Sequence, residues 1–259
     1  MDKVGNIEVK GLSLGYVNNG RTSIIVNDCS FVFPSGSFTS LIGPSGCGKS
    51  TLLNAIAGHY KPLEGKVLLD GIEVLKANPD LGIVFQQHTL FPWKTVIENV
   101  RFGPIQRGIN KSEANKIARE FIRLVGLNGY ESYYPKMLSG GMQHRVEIAR
   151  ALANHPAVLL MDEPFGALDN QMRSSLQNSL IDIWIKAGVT IIFVTHDIDE
   201  AIFMSQRVVV MSKNNGKISD VLYIEEPHPR SREKFMNSDL AASLRDRCKN
   251  LLADHRAEH

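Results

Sequence analysis

The sequence predicts an α/β fold on a mostly parallel sheet, with an N-terminal antiparallel β segment and an inserted helical segment. Three observations predict it. Gly43-Pro-Ser-Gly-Cys-Gly-Lys-Ser-Thr51 matches G-x-x-x-x-G-K-[ST], a loop that joins a strand to a helix. The continuous apolar runs Ala157–Met161 and Thr190–Thr195 have the texture of parallel strands buried on both faces. Residues from His88 to about His155 carry helical rather than strand patterns.

Composition sets outer bounds. With 259 residues, 43% hydrophobic and 22% charged, the chain suits one large soluble domain or a core with a smaller insertion. A formal net charge of +2 is too near balance to suggest a nucleic-acid binder. Cys29, Cys47 and Cys248 share no metal-like spacing, which reads as a reduced, intracellular chain. No apolar run approaches the ~20 residues of a membrane span, and Met1-Asp-Lys-Val-Gly5 does not open a signal peptide. Any membrane role is then expected to work through a partner.

The opening is β-rich. Ile7-Glu-Val-Lys10 alternates, Asn18-Asn-Gly20 forms a turn, and Ser30-Phe-Val-Phe33 alternates again before the turn Pro34-Ser-Gly36. Tyr16 lies between these strands, where it either stacks on a flat ring such as adenine or packs at a strand edge. Ser37–Ile42 then reads as a short buried strand and Thr51–Ala57 as a helix. In the loop between them, Gly43, Gly46 and Gly48 let the backbone turn so that consecutive N–H groups converge on phosphate oxygens. Lys49 adds charge for the β- and γ-phosphates, and the Ser50 hydroxyl can ligate Mg²⁺. The helix aims its positive end at the same point. This reads as a phosphate-loop NTPase core. Cys47, beside Lys49 and a helix N-terminus, is expected to have a lowered pKa and to react readily.

Gly65–Gly71 reads as a strand ending in an Asp-Gly turn, and Leu81–Phe85 as another that stops at Gln86-Gln87. In the helical segment, Ser112 is the expected N-cap of a helix whose inward face is Ile117, Phe121, Leu124 and Val125, closed by Gly126. Leu138-Ser-Gly-Gly-Met142 precedes a helix over Gln143–Leu152 with Val146, Ile148, Ala149 and Leu152 largely on one side. Ser139, Gly140 and Gly141 at a helix start are either an ordinary cap or a second anion site. Asn170 to Ala187 is a helix terminated by Gly188.

The strand Ala157–Met161 delivers Asp162 and Glu163 at its carboxyl end, and Thr190–Thr195 delivers His196. Taken singly, these are a helix-cap carboxylate, a solvated neighbour and a surface histidine. Jointly, at the strand ends where open parallel sheets place ligands, they supply what phosphoryl transfer needs. In that reading Asp162 orders Mg²⁺, Glu163 polarises the attacking water, and His196 contacts the γ-phosphate.

The order of these motifs resembles the nucleotide-binding subunit of an ATP-binding-cassette (ABC) transporter along nearly the whole chain. The resemblance implies ATP and Mg²⁺ as cofactors and a role for each stretch. Tyr16 falls at the adenine-stacking aromatic. Gly43–Thr51 is the Walker A loop, with Pro44, Ser45, Cys47 and Thr51 completing the nucleotide-binding set. Gln86 is the Q-loop glutamine near Mg²⁺ and the water. Leu138–Gly141 match the family signature, Val158–Asp162 Walker B, Glu163 the catalytic carboxylate, Ala167-Leu168-Asp169 the D-loop and His196 the switch histidine. Met142 stands where most members have Gln, as it does in importers for nitrate, sulfonates and taurine. Leu90-Phe-Pro-Trp93, Thr95-Val-Ile-Glu-Asn99, Asp162–Asp169 and the short ending from Glu226 to Arg245 are similar to the same branch.

The implied organisation is one ABC ATPase domain. Residues 1–87 and 156–235 form the nucleotide-binding core, 88–155 a helical subdomain, and 236–259 a short tail. The implied partners are a second copy of the chain in an ATP-dependent head-to-tail dimer, membrane permease subunits and, indirectly, a substrate-binding protein. The implied place is the cytoplasmic face of the inner membrane. Leu90, Phe91, Trp93, Val96 and Ile97 are expected to divide between the helical interior and a groove for the permease. The alternatives are a soluble non-transport ABC ATPase and a nucleotide-binding regulator. Single motifs in a chain of this length weigh against the first, and intact Lys49, Asp162, Glu163 and His196 against the second. Taurine or another organosulfonate, over nitrate or bicarbonate, rests on the resemblance alone.

Overall fold

The computed structural model describes residues 5–18, 21–87, 89–166, 170–213 and 216–254. In chain order the first elements are β1 (Ile7–Asn18), β2 (Arg21–Phe33), β3 (Phe38–Ile42), α1 (Lys49–Ile56), β4 (Glu64–Leu69), β5 (Ile72–Glu73) and β6 (Leu81–Val84). Next come α2 (Val96–Val100), α3 (Phe102–Gln106), α4 (Lys111–Leu124), a 3₁₀ turn (Pro135–Met137) and α5 (Gly140–Leu152). The remainder is β7 (Val158–Asp162), α6 (Asn170–Ala187), β8 (Thr190–Val194), α7 (Ile198–Met204), β9 (Arg207–Met211), β10 (Ile218–Tyr223), α8 (Arg232–Met236) and α9 (Asp239–Asp254). The chain divides into two compact units, residues 1–78 with 189–259, and residues 79–188.

The first unit holds the antiparallel part. β1 pairs antiparallel with β2 on one side and β4 on the other, in the order β2-β1-β4-β5. Alternation turns Ile7 and Val9 inward, and a bulge between Val9 and Leu12 resets it so that Leu12 and Leu14 are also buried. Asn18 pairs with Arg21; Asn19 and Gly20 lie outside the described residues. The strands run further than the alternating stretches suggested, since β2 begins at Arg21 rather than near Ser30. The same unit holds a second layer in the order β10-β9-β3-β8, with β3 parallel to both of its neighbours. Every residue of β3 and β8 is buried. Apolar side chains sealed from water this way contribute about 1.5–3 kcal/mol each. β3 is thus a stiff base for the loop that follows it.

In the second unit β6 and β7 pair in parallel, Leu81 opposite Val158 and Val84 opposite Met161. α5 lies against β6 and packs on α2, α4 and α6. Two expectations for α4 are corrected. Its N-cap is Asn110, whose side chain accepts from the Glu113 amide at 3.0 Å, and Ser112 is an exposed residue of the first turn. The buried face is Ala114, Ala118, Phe121, Ile122 and Val125, while Ile117 and Leu124 are only half-buried. Two alanines at i and i+4 let the neighbouring helix approach closely, which rotates the inward stripe away from the larger side chains. The fold class otherwise agrees with the sequence: parallel strands carrying a phosphate loop, an antiparallel β layer and a helical region.

Candidate nucleotide site

The phosphate loop leaves the end of β3 in the first unit. Gly43 is forced by space, because a Cβ there would lie 2.7 Å from the Cys47 sulfur and 2.8 Å from the Met211 carbonyl. Gly48, at φ +99°, is the N-cap of α1 in the left-handed region, and a Cβ there would also strike Val26 at 2.6 Å. The Cys47 amide closes a turn onto the Pro44 carbonyl. Ser45 and Gly46 are exposed at the tip, Ser50 is exposed and Thr51 half-buried in the first turn of α1.

Lys49 is 7% exposed. Its ammonium donates to the Gly43 carbonyl at 2.9 Å and the Pro44 carbonyl at 3.0 Å. Among the described residues no carboxylate pairs with it. A buried charge normally finds a counter-charge, and this one has carbonyl dipoles and, at 3.9 Å, the Cys47 sulfur. The helix start behind it adds positive potential and free N–H groups. The loop therefore fits a phosphate chain.

Cys47 does not match its expectation. It is 1% exposed, and burial pushes its pKa above the usual thiol value, outweighing Lys49, which pulls it down. We expect a maleimide to label Cys47 in the folded protein far more slowly than in urea, with ATPase activity retained meanwhile. Rapid labelling with loss of activity would show an open thiol.

Tyr16 sits on β1 opposite Ser23 and is 54% exposed. Tyr60 meets it edge-on, centroids 5.6 Å apart, and is itself tied by its hydroxyl to the Gly15 carbonyl. Tyr16 is thus a braced, exposed ring rather than a core residue. His196 is exposed just beyond β8. Thr195 before it is buried, its amide bonded to Leu41 at 3.2 Å and its hydroxyl to the Asp197 amide at 3.1 Å and to Glu200. Asp197 after it caps α7 through the Glu200 amide at 3.1 Å. Because β3 and β8 are parallel neighbours, with Leu41 opposite Val194, the phosphate loop and His196 leave the same end of adjacent strands.

In the second unit, Gln86 and Asp162 likewise leave the carboxyl ends of the paired strands β6 and β7. They line one cavity of about 350 Å³ with Gln87 and Thr89. Their amide and carboxylate oxygens are the hard donors that Mg²⁺ takes. Glu163 follows at φ +44°, a left-handed conformation that costs a side-chain-bearing residue about 1–3 kcal/mol. Ala167, Leu168 and Asp169 lie outside the described residues.

α5 starts at Gly140, three residues earlier than its apolar pattern suggested. Ser139 is its N-cap, the hydroxyl accepting from the Met142 amide at 3.3 Å. The cap leaves other first-turn amides, those of Gly140 and Gly141 among them, without helical partners. Ser139 and Gly140 are exposed, and Gly141 is buried.

Two groups of residues escaped the sequence reading. Glu147, 2% exposed in the middle of α5, accepts from both the amide and the hydroxyl of Thr89, and Arg150 donates to the Thr89 carbonyl and hydroxyl. The helix that begins at Ser139 thereby grips the segment three residues past Gln86. Asn99, fully buried, donates to the carbonyls of Phe91, Lys94 and Thr95 and accepts from the Phe91 amide, fixing the Phe91–Thr95 loop. The available signal was a carboxylate and an amide set among apolar helix positions.

The profile of the family described as ABC transporter matches residues 26–166. Over 226 residues the chain is 50% identical to an uncharacterized ABC transporter ATP-binding protein of Methanocaldococcus jannaschii, covering 87% of this chain and 85% of that one. It is 45% identical to the aliphatic sulfonates import ATP-binding protein SsuB of Bacillus cereus, covering 87% and 89%. Among solved structures, the dimeric post-hydrolysis state of the ATP-binding cassette MJ0796, bound to ADP and Pi, superposes with a TM-score of 0.75 at 32% identity, over 85% of this chain and all of that one. The cbiO1 protein of Clostridium perfringens, part of the ABC transporter complex cbiONQ, superposes at 0.78 with 25% identity, over 99% of this chain. The buried, unpaired lysine in a phosphate loop and these matches lead to one conclusion: the chain belongs to the ABC transporter family, as an ATP-binding, ATP-hydrolysing subunit.

Proposed function

We propose that this subunit energises an importer of a small anion, an aliphatic sulfonate such as taurine. The observation that carries the ATP-binding part is Lys49, a buried cation whose ion pair is left for a ligand to supply. What supports the sulfonate is the 45% identity to a sulfonate importer's ATP-binding protein, together with Met142 in the signature and the Leu90–Asn99 stretch.

In this reading Tyr16 stacks on adenine, and Gly43 to Thr51 wrap the phosphates with backbone N–H groups and Lys49. Ser50, Gln86 and Asp162 hold Mg²⁺, which neutralises phosphate charge. Glu163 accepts a proton from the attacking water, and His196 and Gln86 hold the γ-phosphate and the water in line. Ser139, Gly140 and Gly141 present amides to the γ-phosphate bound by a second copy of the chain.

The helical subdomain, residues 88–155, faces the permease. Among the hydrophobic residues after Gln86, Leu90 and Val96 are buried, whereas Trp93 is 70% exposed. Phe91 and Phe102 line a cleft of about 520 Å³ with Ile83, Arg107 and Arg150. An apolar floor edged by guanidinium groups suits a short amphipathic helix with an acidic end. Among the described residues no helix is long and apolar enough to cross a membrane. In this reading the subunit sits peripherally on the cytoplasmic face, held by that contact.

The test is transport-coupled hydrolysis. With its permease and binding protein in vesicles, ATPase activity is expected to rise on addition of taurine or an alkanesulfonate. Stimulation by nitrate or bicarbonate and by no sulfonate would overturn the substrate and leave the ATPase intact.

A further inference from the structure

His196 stands immediately before α7, and α7 has only seven residues. Isolated helices shorter than about 12–15 residues are marginal in water, so its direction must be set by what holds it. Its second half is sealed all round, with Ala201, Ile202, Phe203 and Met204 fully buried. Its polar ends are held by arginines from a segment that follows much later in the chain.

Arg230 takes the carboxyl end. One guanidinium nitrogen donates to the carbonyls of Ile202, Phe203 and Ser205 at 3.0, 3.2 and 3.0 Å, and Nε donates to Glu226 at 2.7 Å. These are the carbonyls a helix leaves unsatisfied, at its negative end. The guanidinium is 8% exposed as a residue and lies 4.8 Å over the Phe235 ring of α8. Burial pushes its pKa down to about 10, which leaves it charged at neutral pH. Arg245 of α9 takes the first turn, pairing with Asp199 at 2.7 Å. Arg232 lies 4.7 Å over the Phe203 ring.

We propose that residues 226–248 are a clamp on α7, and that Arg230, with Arg245, is a positioning residue for His196. The clamp holds both ends of the helix while Asp197, at its N-cap, sets the direction in which His196 projects. The proposal rests on His196 acting on the γ-phosphate. A histidine displaced by about 1 Å from a phosphate costs of order 10²-fold in rate and little in ground-state binding.

The test measures kcat and KM for MgATP on the full chain. Arg230→Met is expected to lower kcat about 10-fold or more, with KM changed less than about 2-fold. Placed in a His196→Ala background, Arg230→Met is expected to cost nothing further, because the group it positions is gone. Arg245→Met, at a partly exposed pair, is expected to lower kcat about 2- to 5-fold, and the exchanged pair Asp199→Arg with Arg245→Asp to recover part of it. If Arg230→Met does not fold, the Arg245 variants decide. Equal losses from Arg230→Met with and without His196, wild-type kcat in the folded variants, or no recovery on exchange would overturn the clamp. Wild-type turnover by His196→Ala would overturn the role of His196 and the clamp with it. A large effect of His196→Ala without any effect of the arginine variants removes the clamp alone.

Discussion

Replacing Glu163 by Gln is expected to slow phosphate release by about 10²–10⁴-fold while ATP binds as tightly as before. The residue keeps its length and hydrogen-bonding reach but loses the charge that draws a proton from water. Its backbone supports the role independently of its position at the end of β7. At φ +44° it holds a conformation that a glycine or asparagine would adopt more cheaply. Gln carries the same Cβ as Glu, so the strain and the fold carry over and only the chemistry changes. The measurement is single-turnover phosphate release beside equilibrium ATP binding. Near-normal release by Glu163→Gln would take the residue out of the reaction.

The second large effect concerns assembly. With hydrolysis blocked by Glu163→Gln, the purified chain is expected to shift from monomer to dimer on gel filtration when ATP is added, and not with ADP. Adding Ser139→Arg should abolish the shift completely. Ser139 is exposed at the start of α5, with amides beside it that the helix leaves open. If the proposed dimer forms, an arginine there fills the space the other copy's phosphate would take. Losing the cap costs about 1 kcal/mol of helix stability, too little to unfold the domain. Nucleotide binding to the monomer should stay nearly unchanged, since the phosphate loop is untouched. A dimer that survives Ser139→Arg, or one that forms equally well with ADP, is incompatible with signature amides reaching a partner's nucleotide.

What was legible in the sequence had a local cause. β7 and β8 showed as unbroken apolar runs because parallel strands lose water on both faces. The phosphate loop showed because Gly43 and Gly48 are positions where no other side chain fits. What was not legible depended on distant neighbours. The thiol of Cys47 looked activated beside a lysine and a helix start, yet the fold buries it and desolvation wins. The inward stripe of α4 was misread because small alanines, rather than Ile117 and Leu124, make the closest packing. Glu147 and Asn99 could not be read as anchors because their partners, Thr89 and the Phe91–Thr95 loop, are joined to them only by the fold.

The grip of α5 on Thr89 has a mechanical consequence. At 1.5 Å per residue, Glu147 and Arg150 lie roughly 10–15 Å along the helix from Gly140. An unbroken helix with a buried face bends little over that distance. The segment past Gln86 and the exposed tip at Ser139 are therefore opposite ends of one lever with Thr89 bolted to its far arm. A displacement of Thr89 is thus expected to reach the Ser139 tip as a tilt of the helix that grips it.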